Sequence, residues 1–379
     1  MSTSLTESLT RIQTSAAAFA EEFLEPIAAD LDRTGNFPRA LIAELARQQL
    51  LTLPVVAQAG LIAHVETVRT LAQSCPAVAS ILHQHALTAF AISKWGSNAH
   101  KKSHLAQLAE GEKLGALAIH ESGPALGLGA DALTATIATG KVTLNGKKTF
   151  VRNAGVADVY VGVARHAAAP GAAAAVFFIA EAAAAGISVS DAYPTMGLRG
   201  CPVADVTFKN VVLDEASLLG TAETGNSILA ELLGAAALGD AAQPAGIGIA
   251  AAKHAAAASR HRIQFGHPIA ALQAIQQMLA EIATDSHLAW LGVRHAAQLA
   301  DDGAPFAVEA AMVKSFLGRL GQKMLVDAIQ VEGGMGICEA APPHFPGTLP
   351  LARLFRDIAG TTLLDAPGDF PEALIAASL

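Results

Sequence analysis

The stretch from Thr134 to Ala154, TATIATGKVTLNGKKTFVRNA, decides the fold class of this chain. It contains short β-prone runs separated by Thr139-Gly140 and by Asn145-Gly146, and the second pair is a strong signal for a hairpin turn. Four further β-prone runs follow before residue 214: ADVYVGVAR, AAVFFIA, GISVS and ADVTFKNVVL. Several short strands with turns between them predict a small β-barrel or sandwich.

On the N-terminal side of this region the sequence has the periodicity of helices. The segment FPRALIAELARQQLL places Pro38 in a first turn and then sets Leu41, Ile42 and Leu45 on one helix face. The segment SCPAVASILHQHALTAFAISKWG predicts a largely buried helix that ends at Gly96.

Long helical segments return after the β region, and they are long enough to form an antiparallel bundle. We therefore expect an N-terminal helical domain over 1–114, a central β-barrel domain over 115–220 and a C-terminal helical bundle over 221–379. This order gives a mostly α fold class with a central β-barrel. It does not fit a doubly wound nucleotide-binding sheet, in which strands and helices alternate.

Composition limits the partners and the compartment. Hydrophobic residues make up 52% of the 379 residues and many are alanine, so flat apolar helix faces are expected to pair in an oligomer. The net charge of −8 argues against a nucleic-acid partner. The beginning of the chain has no signal-peptide pattern, and the alanine-rich runs are too short to insert into a membrane. We predict a cytoplasmic protein.

Cysteines and histidines offer no metal site by their spacing. Cys75, Cys201 and Cys338 stand far apart without a CxxC pair, so neither a zinc site nor a disulfide framework is indicated. His83 and His85 lie two apart on a predicted helix and point to nearly opposite sides. A core or interface role is therefore favoured for both histidines.

Four motifs, in order, carry a resemblance to a known family: NGKKTFVRNAGVADVYVGVAR, MGLRGCPVADVTFKNVVLDEASLLG, RIQFGHPIAALQAIQQMLAEIAT, and DAIQVEGGMG with LARLFRDIA. From about Phe37 to Ala366 the chain resembles the acyl-CoA dehydrogenases. The resemblance implies a helical domain, a central β-barrel and a C-terminal four-helix bundle, with FAD between barrel and bundle. It also implies an oligomer, usually a homotetramer, with a dimer as the other option.

The resemblance implies an FAD-dependent dehydrogenase that introduces an α,β double bond into an acyl thioester, either acyl-CoA or carrier-bound. A carboxylate removes the proton beside the thioester carbonyl while a hydride leaves the next carbon for the flavin. Electrons then pass to an electron-transfer flavoprotein or to oxygen.

The same resemblance places six residues at FAD. Arg262 would offer a planar donor fork to the pyrophosphate, commonly across a subunit boundary, and Phe265 would pack on the cofactor. The remaining four expected contacts are Gln273, Gln330, Gly333 and Gly334. The alternative interpretations are an ordinary loop before a helix and a glycine-rich turn that only links helices.

The base position departs from the family pattern. Family members usually carry a Glu-Gly pair nine residues after Arg356, whereas this chain has Asp365 followed by Ala366. The aspartate arm is about 1.5 Å shorter, and a misplacement of about 1 Å can lower a rate roughly 100-fold. Asp365 is therefore either the catalytic base or a solvated residue at a helix end.

Departures also occur at the flavin. In HESGPALGLGAD, His120 replaces a threonine; in KTFVRN, Phe150 replaces a tryptophan. Arg152 occupies the threonine position that commonly meets flavin N5, where its guanidinium would stabilise negative charge. It could equally point away into an ion pair.

The helix before RIQFG lacks two family features near the substrate. An arginine that often lies close to the acyl-CoA falls on Ala237, and the alternative base position falls on Ala235. Two alternatives therefore stay open: a flavin-dependent monooxygenase or oxidase on the same fold, and a non-catalytic subunit of a heteromeric acyl-CoA dehydrogenase.

Overall fold

The computed structural model describes residues 3–55, 60–122, 132–167, 175–221, 223–340, 350–363 and 370–379. The first part is helical, as predicted. Its helices are α1 (Thr3–Phe19), α2 (Ala28–Thr34), α3 (Arg39–Arg47), α4 (Gly60–Ser74), α5 (Pro76–Trp95), α6 (Asn98–His100) and α7 (Ala106–Ala109), with π-helical turns at Ala20–Leu24 and Lys101–Leu105. The α3 face with Leu41, Ile42 and Leu45 is buried, and α5 ends before Gly96, so both helix predictions are confirmed.

The middle of the chain forms one mixed sheet. Its strands are β1 (Gly115–Ala118), β2 (Thr134–Ala138), β3 (Lys141–Arg152), β4 (Val159–His166), β5 (Ala175–Glu181), β6 (Ile187–Val189), β7 (Val203–Asp214) and β8 (Leu218–Leu219). The strand order is β6-β7-β3-β2-β4-β5-β8, and β1 pairs in parallel with β4. The four β-prone runs after residue 154 correspond to β4, β5, β6 and β7.

The predicted barrel is wrong, because the sheet is not closed. Its edge strands β6 and β8 are only three and two residues long, and within the described residues they do not pair with each other. Residues of the sheet form a separate core of their own, where Phe178 of β5 meets Phe208 of β7 edge-on with ring centroids 5.5 Å apart. The other face packs against helices.

The predicted hairpin turn at Asn145-Gly146 is also wrong. The turn between β2 and β3 lies at Thr139-Gly140, where both residues have positive φ, 49° and 74°. Asn145-Gly146 lies inside β3 at a register shift against β7. A Cβ on Gly146 would come within 2.7 Å of the Leu133 main chain, so glycine is required there for close approach rather than for a turn.

The last part of the chain is helical again. Its elements are α8 (Gly225–His261), β9 (Ile263–Gln264), β10 (His267–Pro268), α9 (Gln273–Asp301), α10 (Ala307–Glu332), α11 (Leu351–Leu363) and α12 (Phe370–Ala377). Helices α8 to α11 pack against one another as the expected bundle, and α8 also packs against α4 and α5. Among the described helices, none combines the length and the apolar character needed to cross a membrane.

Candidate active site

The end of strand β3 presents an aromatic ring to solvent. Phe150 has a φ of 53°, because the pairing with β7 shifts register between Lys148 and Val151. Its side chain is 48% exposed and stacks on Tyr193, with ring centroids 4.7 Å apart. One face of an aromatic pair is thus available at the position predicted to shield the flavin.

Arg152, two residues further, is completely buried in an ion pair. Its Nη2 donates to Asp240 Oδ1 at 2.7 Å, and Lys314 Nζ donates to the second carboxylate oxygen, Oδ2, at 2.8 Å. We call Arg152, Asp240 and Lys314 the buried charge cluster. The ion-pair interpretation of Arg152 is what the structure shows, and its contact with flavin N5 stays a prediction.

The two cations of the buried charge cluster keep Asp240 ionised. Burial by itself would raise the pKa of Asp240, but Lys314 and Arg152 lower that pKa to about 2. Asp240 is therefore a carboxylate at any working pH. It joins helix α8 to strand β3 and to helix α10.

His120 lies beside this cluster. Its carbonyl oxygen accepts a hydrogen bond from the Thr149 main-chain N–H at 2.9 Å, which ties it to β3. Burial, together with the charges of Lys314 and Arg152, lowers the pKa of His120 to about 3. The imidazole is therefore neutral, and it adds no further positive charge to the site.

A buried ion pair holds the segment that carries His120. Lys148 Nζ donates to the Ile119 carbonyl oxygen at 3.0 Å and to Glu121 Oε1 at 2.5 Å. The same carboxylate oxygen accepts from the Leu133 main-chain N–H at 2.7 Å. The chain on either side of residues 123–131 is thereby fixed to β3.

A second group of predicted residues assembles at the C-terminal ends of α8 and α10. Arg262 Nη1 donates to the Glu332 carbonyl oxygen at 3.0 Å. Gly333 has a φ of 65°, a backbone conformation that favours glycine, and Arg262 Nη1 lies where a Cβ would be 2.7 Å away. A groove of about 650 Å³ runs beside it and is lined by Val326, Ile329, Gln330, Gly333, Gly334, Ile337, Glu339, Ala352, Phe355 and Arg356.

Phe265 and Gln273 lie apart from that groove. Phe265 is at the tip of the β9–β10 hairpin, with a φ of 54° and an exposure of 86%. Gln273 is the exposed first residue of α9. Both side chains extend into solvent, where a second molecule could meet them.

The two groups of residues are far apart within one chain. Twenty-two residues separate Asp240 from Arg262 along α8, which at about 1.5 Å per residue is about 33 Å. His120, Phe150 and Arg152 are therefore not assembled with Arg262 into a single pocket of one protomer.

Asp365 and Ala366 lie outside the described residues. The preceding α11 is described, and it is fixed to the segment MGLRG: Asp357 Oδ1 accepts from the Leu198 main-chain N–H at 2.6 Å, and Arg356 Nη1 donates to the Met196 carbonyl oxygen at 3.1 Å. Two of the four family motifs thus contact each other.

Asp240 and Lys314 were not expected from the sequence. A signal for Asp240 was available, because it is the only charged residue between Glu231 and Lys253 in an otherwise apolar helix. His83 and His85 are both fully buried, so their predicted core role is confirmed. Within the described residues no group of three or more metal-ligating side chains is found.

Known proteins resemble this chain over nearly its full length. Models of the acyl-CoA dehydrogenase N-terminal, middle and C-terminal domains match residues 6–112, 118–211 and 223–379. An acyl-CoA dehydrogenase of Bacillus subtilis is 32% identical over 94% of each chain, and an acryloyl-CoA reductase (NADH) of Anaerotignum propionicum is 32% identical over 99% of this chain and 95% of its own. The structure of butyryl-CoA dehydrogenase from Megasphaera elsdenii superposes with a TM-score of 0.89 at 26% identity, covering 100% of this chain and 98% of that one.

Proposed function

This chain belongs to the acyl-CoA dehydrogenase family and is an FAD-dependent oxidoreductase of that type, and we propose that it introduces an α,β double bond into an acyl thioester with Asp365 as the base. The observation that carries the proposal is the contact of Arg262 with the Glu332–Gly333 main chain. It places a cationic donor fork beside a pair of glycines, and the space next to Gly334 is open to a ligand. Acyl-CoA dehydrogenases and an acyl-CoA reductase among the relatives support the substrate class.

The residues of the chain fit FAD in two places. At the strand side, the exposed face of Phe150 offers a stacking surface, and the neutral His120 offers a hydrogen bond. At the bundle side, Arg262, Gln330 and the two glycines offer donors to a phosphate or an adenine ring. When bound, FAD supplies the hydride acceptor that no side chain can replace.

The separation of the two groups supports an oligomer. Because Arg262 lies about 33 Å along α8 from the strand side, we infer that it grips the cofactor of a neighbouring protomer, as does the exposed Phe265. A homotetramer, or a dimer, would bring the two groups together. We further propose that the chain divides into domains over 1–114, 115–220 and 221–379. The acceptor of its electrons is an electron-transfer flavoprotein or oxygen, and its location is cytoplasmic.

The test is an anaerobic titration of the purified yellow protein with a panel of acyl-CoA and carrier-bound thioesters. Bleaching of the flavin absorption by one thioester, with an equivalent amount of enoyl product, supports the proposal. A yellow protein that no thioester bleaches contradicts it.

A flavin-dependent oxidase is the second candidate, and the buried cation Arg152 beside His120 favours it, because positive charge stabilises anionic reduced flavin. Photoreduction of the flavin followed by exposure to air distinguishes an oxidase from a dehydrogenase. Rapid reoxidation without a thioester supports the oxidase, whereas slow reoxidation supports the dehydrogenase.

A further inference from the structure

Asp205 of strand β7 lies opposite an irregularity in strand β3. The pairing of the two strands shifts register between Lys148 and Val151. The two β3 residues in between, Thr149 and Phe150, therefore face the single residue Asp205. Such a β-bulge re-aims side chains and is over-represented beside active sites. Here it turns the Phe150 ring outward, where 48% of that residue is exposed.

The carboxylate of Asp205 accepts hydrogen bonds from three residues around this bulge. Lys147 Nζ donates to Oδ2 at 2.8 Å, and the Tyr193 hydroxyl donates to Oδ1 at 2.8 Å. The Phe150 main-chain N–H donates to the same Oδ1 at 3.4 Å, which is a long hydrogen bond. Burial alone would raise the pKa of Asp205, but the hydrogen bonds from Lys147 and Tyr193 lower that pKa. The side chain is therefore an anion that can accept from all three donors.

These contacts fix two rings that stay open to solvent. Phe150 has a φ of 53°, a strained conformation that persists only where the surrounding structure holds it. The Tyr193 ring, held by its hydroxyl, stacks on Phe150 with an interplanar angle of 13° and is 37% exposed. We call Phe150 and Tyr193 the aromatic pair. A ligand can reach both of its rings.

Folding alone does not account for this arrangement. A half-exposed ring contributes less to stability than a buried one, and the positive φ of Phe150 costs free energy. Asp205, at 8% exposure, holds in place two rings that the fold leaves uncovered. Strain stored at an exposed aromatic ring is typical of ligand-binding sites, where a fixed aromatic face stacks on a flat ligand.

We propose that Asp205 is a positioning residue of the cofactor site, which holds the aromatic pair as one fixed face for the isoalloxazine ring of FAD. This inference rests on the proposed function, which assigns Phe150 to the flavin, and it adds Asp205 and Tyr193 to the site. A ring that is fixed before binding need not be ordered when the cofactor arrives, and such ordering weakens binding. Asp205 thus acts on the cofactor through the two rings.

The experiment measures FAD binding to the apoprotein of Asp205→Ala. We expect the Kd, from flavin fluorescence, to rise about 10-fold, because two side chains lose their fixed orientation. The visible circular dichroism of the bound flavin should change as well, since the flavin no longer meets one fixed face. The control is Asp214→Ala at the opposite end of β7, whose carboxylate also pairs with a lysine of β3, Lys141. Its Kd and dichroism should stay unchanged.

A second readout follows Tyr193 directly. The chain has two tyrosines, and the other, Tyr160, is buried. Fluorotyrosine labelling therefore gives two fluorine NMR resonances, which Tyr193→Phe assigns. We expect Asp205→Ala to shift the Tyr193 resonance of the apoprotein, because the ring leaves its stack on Phe150. Addition of FAD to the wild-type apoprotein should shift the same resonance, and no shift in either case overturns the proposal.

Asp205→Asn separates the fixing of the rings from the ion pair. Tyr193 and Phe150 both donate to Oδ1, whereas Lys147 donates to Oδ2. The amide oxygen of asparagine can replace Oδ1 as the acceptor, but the charge opposite Lys147 is lost. We therefore expect Asp205→Asn to recover most of the FAD affinity that Asp205→Ala loses. A loss as large as that of the alanine variant would show that only the ion pair matters, and it overturns the positioning role.

The failures are distinguishable. An apoprotein that binds no FAD, or a flavin that no thioester bleaches, contradicts the proposed function itself. A folded Asp205→Ala with the wild-type Kd and dichroism overturns the role of Asp205 while the dehydrogenase proposal stands. Tyr193→Phe, which removes the hydroxyl and keeps the ring, decides the question if Asp205→Ala does not fold. A raised Kd in that variant supports the proposal, and an unchanged Kd overturns it.

Discussion

Arg262 Nη1 donates to the carbonyl oxygen of Glu332 at 3.0 Å, although the two residues lie 70 positions apart in the sequence. This hydrogen bond joins the RIQFG and QVEGG motifs, which are separate in the chain and were assigned to the same cofactor. The guanidinium is fixed at one edge by the carbonyl and keeps further N–H groups for a ligand, since arginine has five of them.

Arg262→Ala is expected to weaken FAD binding by about 10- to 100-fold, because a hydrogen bond to a charged group contributes about 1.5–3 kcal/mol. Flavin fluorescence during titration of the apoprotein measures the affinity. Arg260→Ala removes a neighbouring exposed arginine from the same helix end and serves as the control. Equal affinities in the two variants would contradict a cofactor role for Arg262.

Glu332 makes stability depend on pH. Its side chain is buried, and burial raises its pKa from 4.5 to about 7. Below pH 4.5 the carboxyl is protonated in both folded and unfolded chains and has no effect. Between pH 4.5 and about 7 the unfolded chain ionises first, so the free energy of unfolding falls as the pH rises, by about 3 kcal/mol in total.

Glu332→Gln should therefore stabilise the protein at pH 8 and change little at pH 5. Thermal unfolding at both pH values measures the effect, and Glu112→Gln, at an exposed position, is the matched control. A Tm increase of the same size at both pH values would show that the gain comes from packing and not from ionisation.

The order of elements could be predicted from the sequence because it depends on local periodicity. The α3 face of Leu41, Ile42 and Leu45 is an example. Closure of the sheet could not be predicted, because it depends on the length and pairing of edge strands. A turn was wrongly predicted at Asn145-Gly146, because Gly146 is needed for its close approach to Leu133. Residue propensity alone does not distinguish a bulge from a turn.

The proximity of some candidate site residues could be predicted from the sequence, and their roles at the cofactor stay predictions. Arg262 and Gly333 were found from a resemblance, and the structure brings them together. Asp240 and Lys314 were missed because a buried ion cluster is formed by tertiary contacts between residues 74 positions apart. In the sequence, only the isolated position of Asp240 in an apolar helix could have indicated the buried ion cluster.

Lys148→Met is expected to lower the free energy of unfolding by about 3–5 kcal/mol, since it leaves the Glu121 carboxylate buried without its cation. Lys147→Met, at the adjacent position, removes a half-exposed partner of Asp205 and should lower the free energy of unfolding far less, because solvent screens that ion pair. Denaturant titration monitored by tryptophan fluorescence measures both. The double variant Lys148→Met with Glu121→Leu should recover part of the loss; no recovery would show that Lys148 acts through packing alone.

Asp365→Asn tests the base directly, because it keeps the shape of the side chain and removes the proton acceptor. We expect the rate of flavin bleaching by the best thioester to fall about 10²- to 10⁴-fold, the usual contribution of a positioned acid or base. FAD content and product Kd should stay unchanged, since proton transfer and binding are separate steps. Bleaching at the wild-type rate would exclude Asp365 from the mechanism and leave it a solvated residue after α11.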